Sequence, residues 1–208
     1  MSRCVILCAG PVQEPAVLAA FLRPDDHIIA ADGGCALAAQ LGVQPHEIVA
    51  DFDSAAPTAV PAGSRVIPLP VRKDVTDADA AAEHAYTAGY RELLLLGGTG
   101  GRLDHEYANL LLIVRLAQRG CRAVLADSRN RIEAVLHSPL RPEPLPGWQL
   151  SLFAFGAPVT GLTIRGAAYP LTDYTLQPAD SLCISNQASE QCEITFSSGT
   201  LLLFRSRD

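Results

Sequence analysis

The sequence predicts an α/β protein in which a mostly parallel sheet flanked by helices is followed by a smaller antiparallel β-sandwich. Two observations lead to this prediction. As far as residue 126, short apolar runs alternate with Ala- and Leu-rich segments of helical period, which is the rhythm of βαβ units. After residue 130, short apolar and β-branched segments are separated by Gly, Pro and Asn, as in antiparallel sandwiches. We therefore expect an α/β domain over residues 1–130 and a sandwich domain over residues 131–208.

The first part contains six apolar runs of strand length. They cover residues 4–9, 27–31, 48–52, 66–69, 92–96 and 122–126. The segments between them are rich in Ala and Leu, which suits helices packed on a sheet. Helices are predicted at residues 15–22, 35–41, 76–88 and 104–119. In a parallel sheet of this kind, ligands bind at the carboxyl ends of the strands.

A Pro-rich passage, SPLRPEPLPG at residues 138–147, lies between the alternating strand and helix pattern of the first part and the predicted strands of the second. Proline removes a backbone donor, so the passage can hold neither a helix nor a central strand, and it indicates a linker or a domain edge. Beyond it, strands are predicted at residues 149–155, 162–164, 181–184, 192–196 and 200–204.

The composition is that of a globular chain, 49% hydrophobic and 18% charged, with a net charge of −6. Nucleic-acid binders usually carry a basic face, so this balance argues against a nucleic-acid partner. No stretch approaches the roughly 18–20 apolar residues that span a bilayer, and the first apolar run is too short for a signal sequence. The six cysteines show no C-x-x-C spacing, which favours reduced thiols. We expect a cytoplasmic protein with no membrane partner.

Four acidic residues fall where the predicted strands meet loops or helices. Asp51 and Asp53 follow the third strand, and residues two apart in an extended chain point the same way. Their carboxylates can therefore share one Mg²⁺ ion, which prefers carboxylates, water and phosphates. Asp74 and Asp77 lie at the start of a helix, near Thr76. They can extend the acidic site or, alternatively, belong to a capping box.

A glycine-rich turn, GGTGG at residues 97–101, ends the fifth strand and leads into a helix. Backbone N–H groups of such a turn can cradle phosphate, and the following Arg102 adds a planar donor fork. The turn matches neither the P-loop nor the dinucleotide fingerprint, so a turn without a ligand is an equal alternative. His105 can orient phosphate, relay a proton or cap the helix, and Asn109 lies on the same helix face.

These motifs together resemble a known family. ADGG at residues 31–34, DFDS at 51–54, KDVTD at 73–77 and GGTGGRLDHEYAN at 97–109 occur in the order seen in thiamine pyrophosphokinases. YPL at residues 169–171 and SN at 185–186 are also similar to that family. The resemblance covers nearly the whole chain. One departure is Ala50, where the family usually has Gly; its methyl group can narrow the approach to a metal but removes no ligand.

The resemblance implies ATP-dependent transfer of a pyrophosphoryl group to the hydroxyl of thiamine, with AMP as the other product and Mg²⁺ as the cofactor. It implies that Asp51, Asp53 and Asp77 bind the metal and that Asp74 assists them as a fourth catalytic acid. Thiamine would contact Ser185 and Asn186, between the α/β domain of one subunit and the sandwich of another, in a homodimer. The nucleotide site would contain Asp32, Gly33, Gly98, Thr99, Arg102, Asp104, His105 and Asn109.

Two rival functions and one question about the mechanism stay open at this point. An Asp-x-Asp motif after a strand also suits a phosphatase or phosphotransferase with Asp51 as nucleophile and Asp53 as acid/base. Against this alternative, the motif here follows the third strand rather than the first. A non-catalytic sensor of nucleotide or thiamine is the second. Within the kinase hypothesis, the proton of the thiamine hydroxyl passes to a carboxylate such as Asp77, or metal binding makes a strong base unnecessary.

Overall fold

The structure is a computed structural model that describes residues 3–50, 62–69 and 74–208. Contacts divide the chain into two compact units, Met1–Ser128 and Arg129–Asp208. The predicted fold class is confirmed, because the first unit is built on parallel strands with helices and the second on antiparallel strands. Within the described ranges, no helix is long and apolar enough to cross a membrane.

The described residues of the first unit form six parallel strands and four helices, and each predicted strand and helix is present, with ends that agree to within three residues where they are described. The strands are β1 (Cys4–Leu7), β2 (His27–Ala31), β3 (Glu47–Ala50), β4 (Arg65–Pro68), β5 (Glu92–Leu96) and β6 (Arg122–Ala126). The helices are α1 (Pro15–Ala19), α2 (Gly34–Leu41), α3 (Asp77–Thr87) and α4 (Leu103–Gln118). The strand order is β4-β3-β2-β1-β5-β6, so β1 lies between β2 and β5 in the interior of the sheet. The third strand was expected to reach residue 52, and its part beyond Ala50 lies outside the described residues.

The core of this unit follows from the apolar runs. Alternate side chains of β1 and β5, such as Leu7 and Leu96, pack in one cluster with Leu18 of α1 and Leu37 of α2. Leu7, Leu18 and Leu96 are almost completely buried. Burial of each such side chain stabilises the fold by about 1.5–3 kcal/mol. The packing fixes the strand ends from which the loops described below emerge.

A polar cluster lies at the amino-terminal end of the sheet, on the side opposite these loops. Glu47, the first residue of β3, accepts a hydrogen bond from His84 of α3 at 2.8 Å, and His27 lies 3.6 Å from the same oxygen. His27 stacks on His46, whose Nδ1 accepts the N–H of Ile28 at 3.0 Å. The cluster ties α3 to β3.

The second unit is a sandwich of two antiparallel layers with three strands each. Its strands are β7 (Asn130–Val135), β8 (Gln149–Ala154), β9 (Val159–Ala167), β10 (Leu171–Leu176), β11 (Ala188–Thr195) and β12 (Leu201–Ser206). In the first layer the strands have the order β7-β12-β8, and the second layer is a three-stranded sheet with the order β10-β9-β11. Leu152 and Leu203 of the first layer share a core with Leu162 and Ile194 of the second.

The sequence missed two strands here and predicted one wrongly. β7 carries Arg131 and Glu133 and so lacks an apolar run; Glu133 pairs with Arg205 of the neighbouring β12 at 3.2 Å. β10 is largely exposed and is similarly polar. The strand predicted at residues 181–184 is wrong, because these residues form a turn. Only the Cys183 carbonyl makes a sheet-like contact there, accepting the N–H of Leu152 at 2.9 Å.

Candidate functional site

A cleft of about 390 Å³ lies in the first unit, at the carboxyl ends of β1, β2 and β5. This is the edge at which ligands bind in parallel sheets. Its walls come from four segments that are distant in sequence: the loop after β1, the end of β2, the start of α3, and the glycine-rich loop with the first turns of α4. The described residues that line it are Cys8, Ala9, Gly10, Pro11, Ala31, Asp32, Thr76, Asp77, Ala78, Gly97, Gly98, Thr99, Gly101, Arg102, His105, Glu106 and Asn109.

The floor of the cleft is a contact between the loops after β1 and β5. The N–H of Gly10 donates to the Gly97 carbonyl at 2.8 Å. A Cβ atom at Gly10 would lie 2.4 Å from that oxygen and 3.0 Å from the Thr99 carbonyl oxygen. Gly97 adopts φ of 71°, a conformation that favours glycine. Glycine at both positions lets the two backbones touch and leaves the space above them for a ligand.

Asn109 fastens the glycine-rich loop to α4. Its side chain is buried, and its Nδ2 donates to the Gly98 carbonyl at 2.8 Å. An unsatisfied buried carbonyl costs about 1–3 kcal/mol, so this bond is a substantial constraint on the loop. Asn109 thus lines the cleft and also fixes the shape of its wall.

Thr99, in the middle of the same loop, forms a hydrogen bond with the segment that follows β6. Its Oγ1 donates to Oδ2 of Asp127 at 2.5 Å. Asp127 directly follows β6, the strand next to β5. The Thr99 side chain is therefore oriented from the β6 side of the cleft.

Arg102 and Asp104 form an exposed two-bond pair at the cleft mouth. Nε of Arg102 lies 3.1 Å from Oδ1 of Asp104 and Nη2 lies 2.6 Å from Oδ2. The Arg102 guanidinium holds the pKa of Asp104 below its usual value. Arg102 lines the cleft whereas Asp104 does not, so Asp104 acts on the site through the arginine. The exposed His105 also lines the cleft, and its backbone N–H donates to Asp104 at 3.0 Å.

Two carboxylates, Asp32 and Asp77, also line the cleft, and β2, which Asp32 follows, is separated by β1 from β5, which the loop with Thr99 follows. Asp32 follows β2 with a positive φ of 44°, and its N–H donates to the Val49 carbonyl of β3 at 2.9 Å. Asp77 is the first residue of α3, whose N-cap is Thr76. Burial, and secondarily the negative charge of Asp77, raises the pKa of the Cys8 thiol to about 12. The thiol therefore stays protonated at neutral pH and forms an inert part of the wall.

The capping interpretation of the KDVTD segment is confirmed for Thr76, whose Oγ1 accepts the N–H of Asp79 at 3.2 Å. Capping by Thr76 leaves the Asp77 side chain in the cleft lining. Asp74 is exposed and is not among the lining residues, and neither is Gly33, the N-cap of α2.

Asp51 and Asp53 lie outside the described residues. Within residues 3–50, 62–69 and 74–208, no three His, Cys, Asp or Glu side chains are grouped as a metal site. The metal assignment of Asp51, Asp53 and Asp77 stays a prediction.

Ser185 and Asn186 belong to the second unit. Ser185 is exposed with φ of 59°, in the left-handed region that non-glycine residues adopt mainly where the surroundings hold them. Asn186 is buried, and its side chain accepts the N–H groups of Tyr169 and Gln187 at 2.9 and 2.8 Å and donates to the Tyr169 carbonyl at 2.8 Å. Asn186 therefore fixes the backbone on which Ser185 and Tyr169 are presented.

Several residues in or beside the cleft were not predicted as site residues from the sequence. The loop after β1, residues 8–11, contributes much of the wall, and Glu106 and Asp127 lie on or beside it. The strand-end rule was sufficient to identify Gly10 and Pro11, which follow the first predicted strand, whereas residues 8 and 9 were predicted to lie inside that strand, which ends at Leu7. Asp127 follows the last parallel strand and was accessible by the same rule.

Comparison with known proteins shows that family models, a curated relative and solved structures that match this chain all carry the name of one enzyme family. A family model described as "Thiamin pyrophosphokinase, catalytic domain" matches residues 18–125, and one described as "Thiamin pyrophosphokinase, vitamin B1 binding domain" matches residues 137–201. A curated relative named "Thiamine pyrophosphokinase", from Bacillus subtilis (strain 168), is 28% identical over 192 residues, which cover 88% of this chain and 90% of the relative.

Solved structures agree with the sequence matches. The crystal structure of thiamine pyrophosphokinase from Bacillus subtilis superposes with a TM-score of 0.88 at 26% identity and covers 100% of both chains. That of thiamin pyrophosphokinase from Geobacillus thermodenitrificans gives a TM-score of 0.84 at 27% identity, covering 100% of this chain and 98% of the other.

Proposed function

The chain belongs to the thiamin pyrophosphokinase family, and on that premise we propose that it transfers a pyrophosphoryl group from ATP to the hydroxyl of thiamine, giving thiamine diphosphate and AMP. The observation that carries this proposal is the composition of the cleft. Its lining combines the glycine-rich loop and Arg102, which follow β5, with the carboxylates Asp32, which follows β2, and Asp77, which begins α3. A phosphate-binding loop together with carboxylates suits a magnesium nucleotide.

Mg²⁺ is the proposed cofactor, with Asp51, Asp53 and Asp77 as its ligands and Asp74 as a nearby assisting acid. The described carboxylates fit such an ion, because Asp77 lies in the cleft and Asp32 is bonded to β3, the strand that leads to Asp51. When bound, the ion would neutralise charge on the phosphates. The proton of the thiamine hydroxyl passes to a carboxylate such as Asp77 or is lost without a strong base.

The residues of the chain contribute mainly position and charge. Loop amides of Gly98 and Gly101 hold phosphate oxygens, and Asn109 keeps the loop in that shape through its bond to Gly98. Arg102, oriented by Asp104, supplies positive charge to the transferring group. Asp32, Gly33 and His105 complete the nucleotide site.

Thiamine is the proposed ligand of the second unit, so that residues 1–130 act as the ATP- and magnesium-binding domain and residues 131–208 as the thiamine-binding domain. Support comes from the exposed Ser185, which lies between an exposed Ile184 and the buried Asn186. Asn186 serves thiamine by positioning, since its side chain bonds to the backbone around it.

A homodimer is the proposed assembly, with each active site shared between subunits. One face of α4 supports it: Leu103, Tyr107 and Leu111, spaced by four residues, expose 79%, 57% and 40% of their surface. A second copy would cover this stripe. Light scattering should give twice the monomer mass, and a Leu103→Glu/Tyr107→Glu variant should give the monomer mass. A monomeric wild-type protein that is fully active would contradict the shared site.

A cytoplasmic location is proposed as well. All six cysteines are free thiols, and five of them are buried, which suits a reducing compartment.

The acidic residues provide the direct test of the metal proposal. Asp53→Ala and Asp77→Asn should each abolish turnover while the melting temperature stays near that of the wild type, because each removes one carboxylate that is proposed to bind the metal. Asp25→Asn, an exposed acid after α1, is the matched control and should leave turnover unchanged. Substantial turnover in Asp53→Ala would remove Asp53 from the metal site.

A further inference from the structure

The buried face of helix α3 consists of alanine residues. They are Ala78, Ala81, Ala82 and Ala85, and the helix packs on β1, β2 and β3. A helix is fixed along its axis where large side chains interdigitate with those of its neighbour. Methyl groups are too short for this, so the apolar face holds α3 on the sheet but constrains its position along its axis only weakly.

Polar bonds to neighbouring elements supply the missing constraint. Nε2 of His84 donates to Oε2 of Glu47, the first residue of β3, at 2.8 Å. Two further ion pairs join α3 to α4, namely Asp79–Arg115 and Glu83–Arg119. Each of these includes a side chain that is nearly half exposed, whereas Glu47 and His84 expose only 15% and 29% of their side chains. Water screens exposed pairs, so the Glu47–His84 bond is the strongest of the three constraints.

This bond connects the helix that begins in the cleft with the strand that leads to the DFDS motif. Asp77 is the first residue of α3 and lines the cleft, and His84 follows it after about two helical turns, or roughly 10 Å. A packed helix slides as a unit, so a shift at His84 is also a shift of Asp77. β3 begins at Glu47 and ends at Ala50, directly before Asp51.

We propose that Glu47 and His84 are positioning residues for the metal site. Their bond sets the position of α3 relative to β3 and so holds Asp77 where it can share an ion with Asp51 and Asp53. Neither Glu47 nor His84 is among the residues that line the cleft, so both act through the elements that carry them. The inference rests on the proposed function, since it takes Asp77 as a ligand of Mg²⁺.

His27 provides a matched control, because it approaches the same carboxylate oxygen from the sheet. Its Nε2 lies 3.6 Å from Oε2 of Glu47, and its ring stacks on that of His46. His27 belongs to β2, so its contact with Glu47 does not involve α3. A role of the cluster in stability alone predicts the same consequence for both histidines, whereas positioning of α3 predicts an effect of His84 only.

Binding of Mn²⁺, used in place of Mg²⁺, tests the inference. The full chain is titrated without nucleotide, and free Mn²⁺ is measured by electron paramagnetic resonance. His84→Ala should bind Mn²⁺ about tenfold more weakly than the wild type, a loss typical of residues that orient metal ligands. His84→Gln keeps a donor and should bind like the wild type. His27→Ala should also bind like the wild type, although its melting temperature falls.

Glu47→Ala removes the same bond from the side of β3 and keeps the test decisive if His84→Ala does not fold. It should weaken Mn²⁺ binding about tenfold as well. The double variant should lose no more affinity than either single variant, because both remove one bond. Kinetics provide a second measurement. In His84→Ala the Mg²⁺ concentration for half-maximal turnover should rise about tenfold, while kcat at saturating Mg²⁺ and the KM for thiamine stay near the wild-type values.

Wild-type Mn²⁺ affinity in His84→Ala would overturn the inference, and so would an equal loss in His27→Ala, since that would indicate general destabilisation. A wild type that binds no Mn²⁺ refutes the metal assignment and this inference with it. The proposed function fails separately. A wild type that forms thiamine diphosphate and AMP, with unchanged metal binding in His84→Ala, refutes this inference alone. The expected Mn²⁺ losses without any thiamine diphosphate would refute pyrophosphoryl transfer and support the positioning.

Discussion

Gly10→Ala is the substitution whose effect the structure defines most sharply. The new Cβ atom would lie 2.4 Å from the Gly97 carbonyl oxygen and 3.0 Å from that of Thr99. Both neighbours are backbone atoms, so the loops after β1 and β5 must separate. Overpacking of this kind costs typically about 1–3 kcal/mol, and loss of the 2.8 Å bond from Gly10 to Gly97 adds about 0.5–1.5 kcal/mol.

The expected destabilisation is thus about 1.5–4.5 kcal/mol, which lowers the melting temperature by at least roughly 3 °C in a chain of this size. Because the same loops form the cleft floor, the KM for ATP should rise as well. Scanning calorimetry and steady-state kinetics measure the two effects. Gly101→Ala is the matched control for stability: its Cβ would meet only Pro11 Cδ, at 3.3 Å, so the melting temperature should fall little. If Gly10→Ala lowered the melting temperature no more than this control does, the direct contact of the two loops would be refuted.

Two further substitutions test charges at opposite ends of the parallel strands. Burial of Glu47 favours its neutral form, but the hydrogen bonds and charges of His84 and His27 outweigh burial and lower its pKa below the ordinary 4.5. Because the pKa of Glu47 is lower in the folded state, its charge stabilises the fold fully above the ordinary pKa, and this stabilisation disappears as the pH falls through the lowered pKa. Acid should therefore lower the melting temperature of the wild type more than that of Glu47→Gln, and equal acid sensitivity of the two proteins would contradict this. Asp104→Asn should raise the KM for ATP, because Arg102 loses the partner that orients it, while the melting temperature stays constant because the pair is exposed. An unchanged KM would show that Arg102 needs no partner.

The sequence was sufficient for the first unit because its strands are uninterrupted apolar runs. HIIAA and ELLLL became β2 and β5 with the predicted ends. The second unit was less predictable, since strands that carry charges, such as β7, are stabilised by neighbours that a local pattern does not reveal. The Glu133 carboxylate is acceptable inside β7 because Arg205 pairs with it from β12.

The candidate site shows the same division. The positions of Asp32, Asp77 and the glycine-rich loop around one cleft followed from the rule for strand ends. The roles of Asn109 and Thr99 did not, because each depends on the direction of one hydrogen bond. Asn109 was expected to line the nucleotide site, and its side chain also bonds the Gly98 carbonyl. Asp127, the partner of Thr99, is separated from Thr99 in the sequence by a helix and a strand.

Product identification tests the central proposal most directly. The wild-type protein is incubated with ATP, Mg²⁺ and thiamine, and the nucleotide and thiamine products are separated by chromatography and identified by mass. We expect AMP and thiamine diphosphate in equal amounts, both dependent on thiamine. ADP with thiamine monophosphate, or nucleotide turnover that does not depend on thiamine, would contradict pyrophosphoryl transfer.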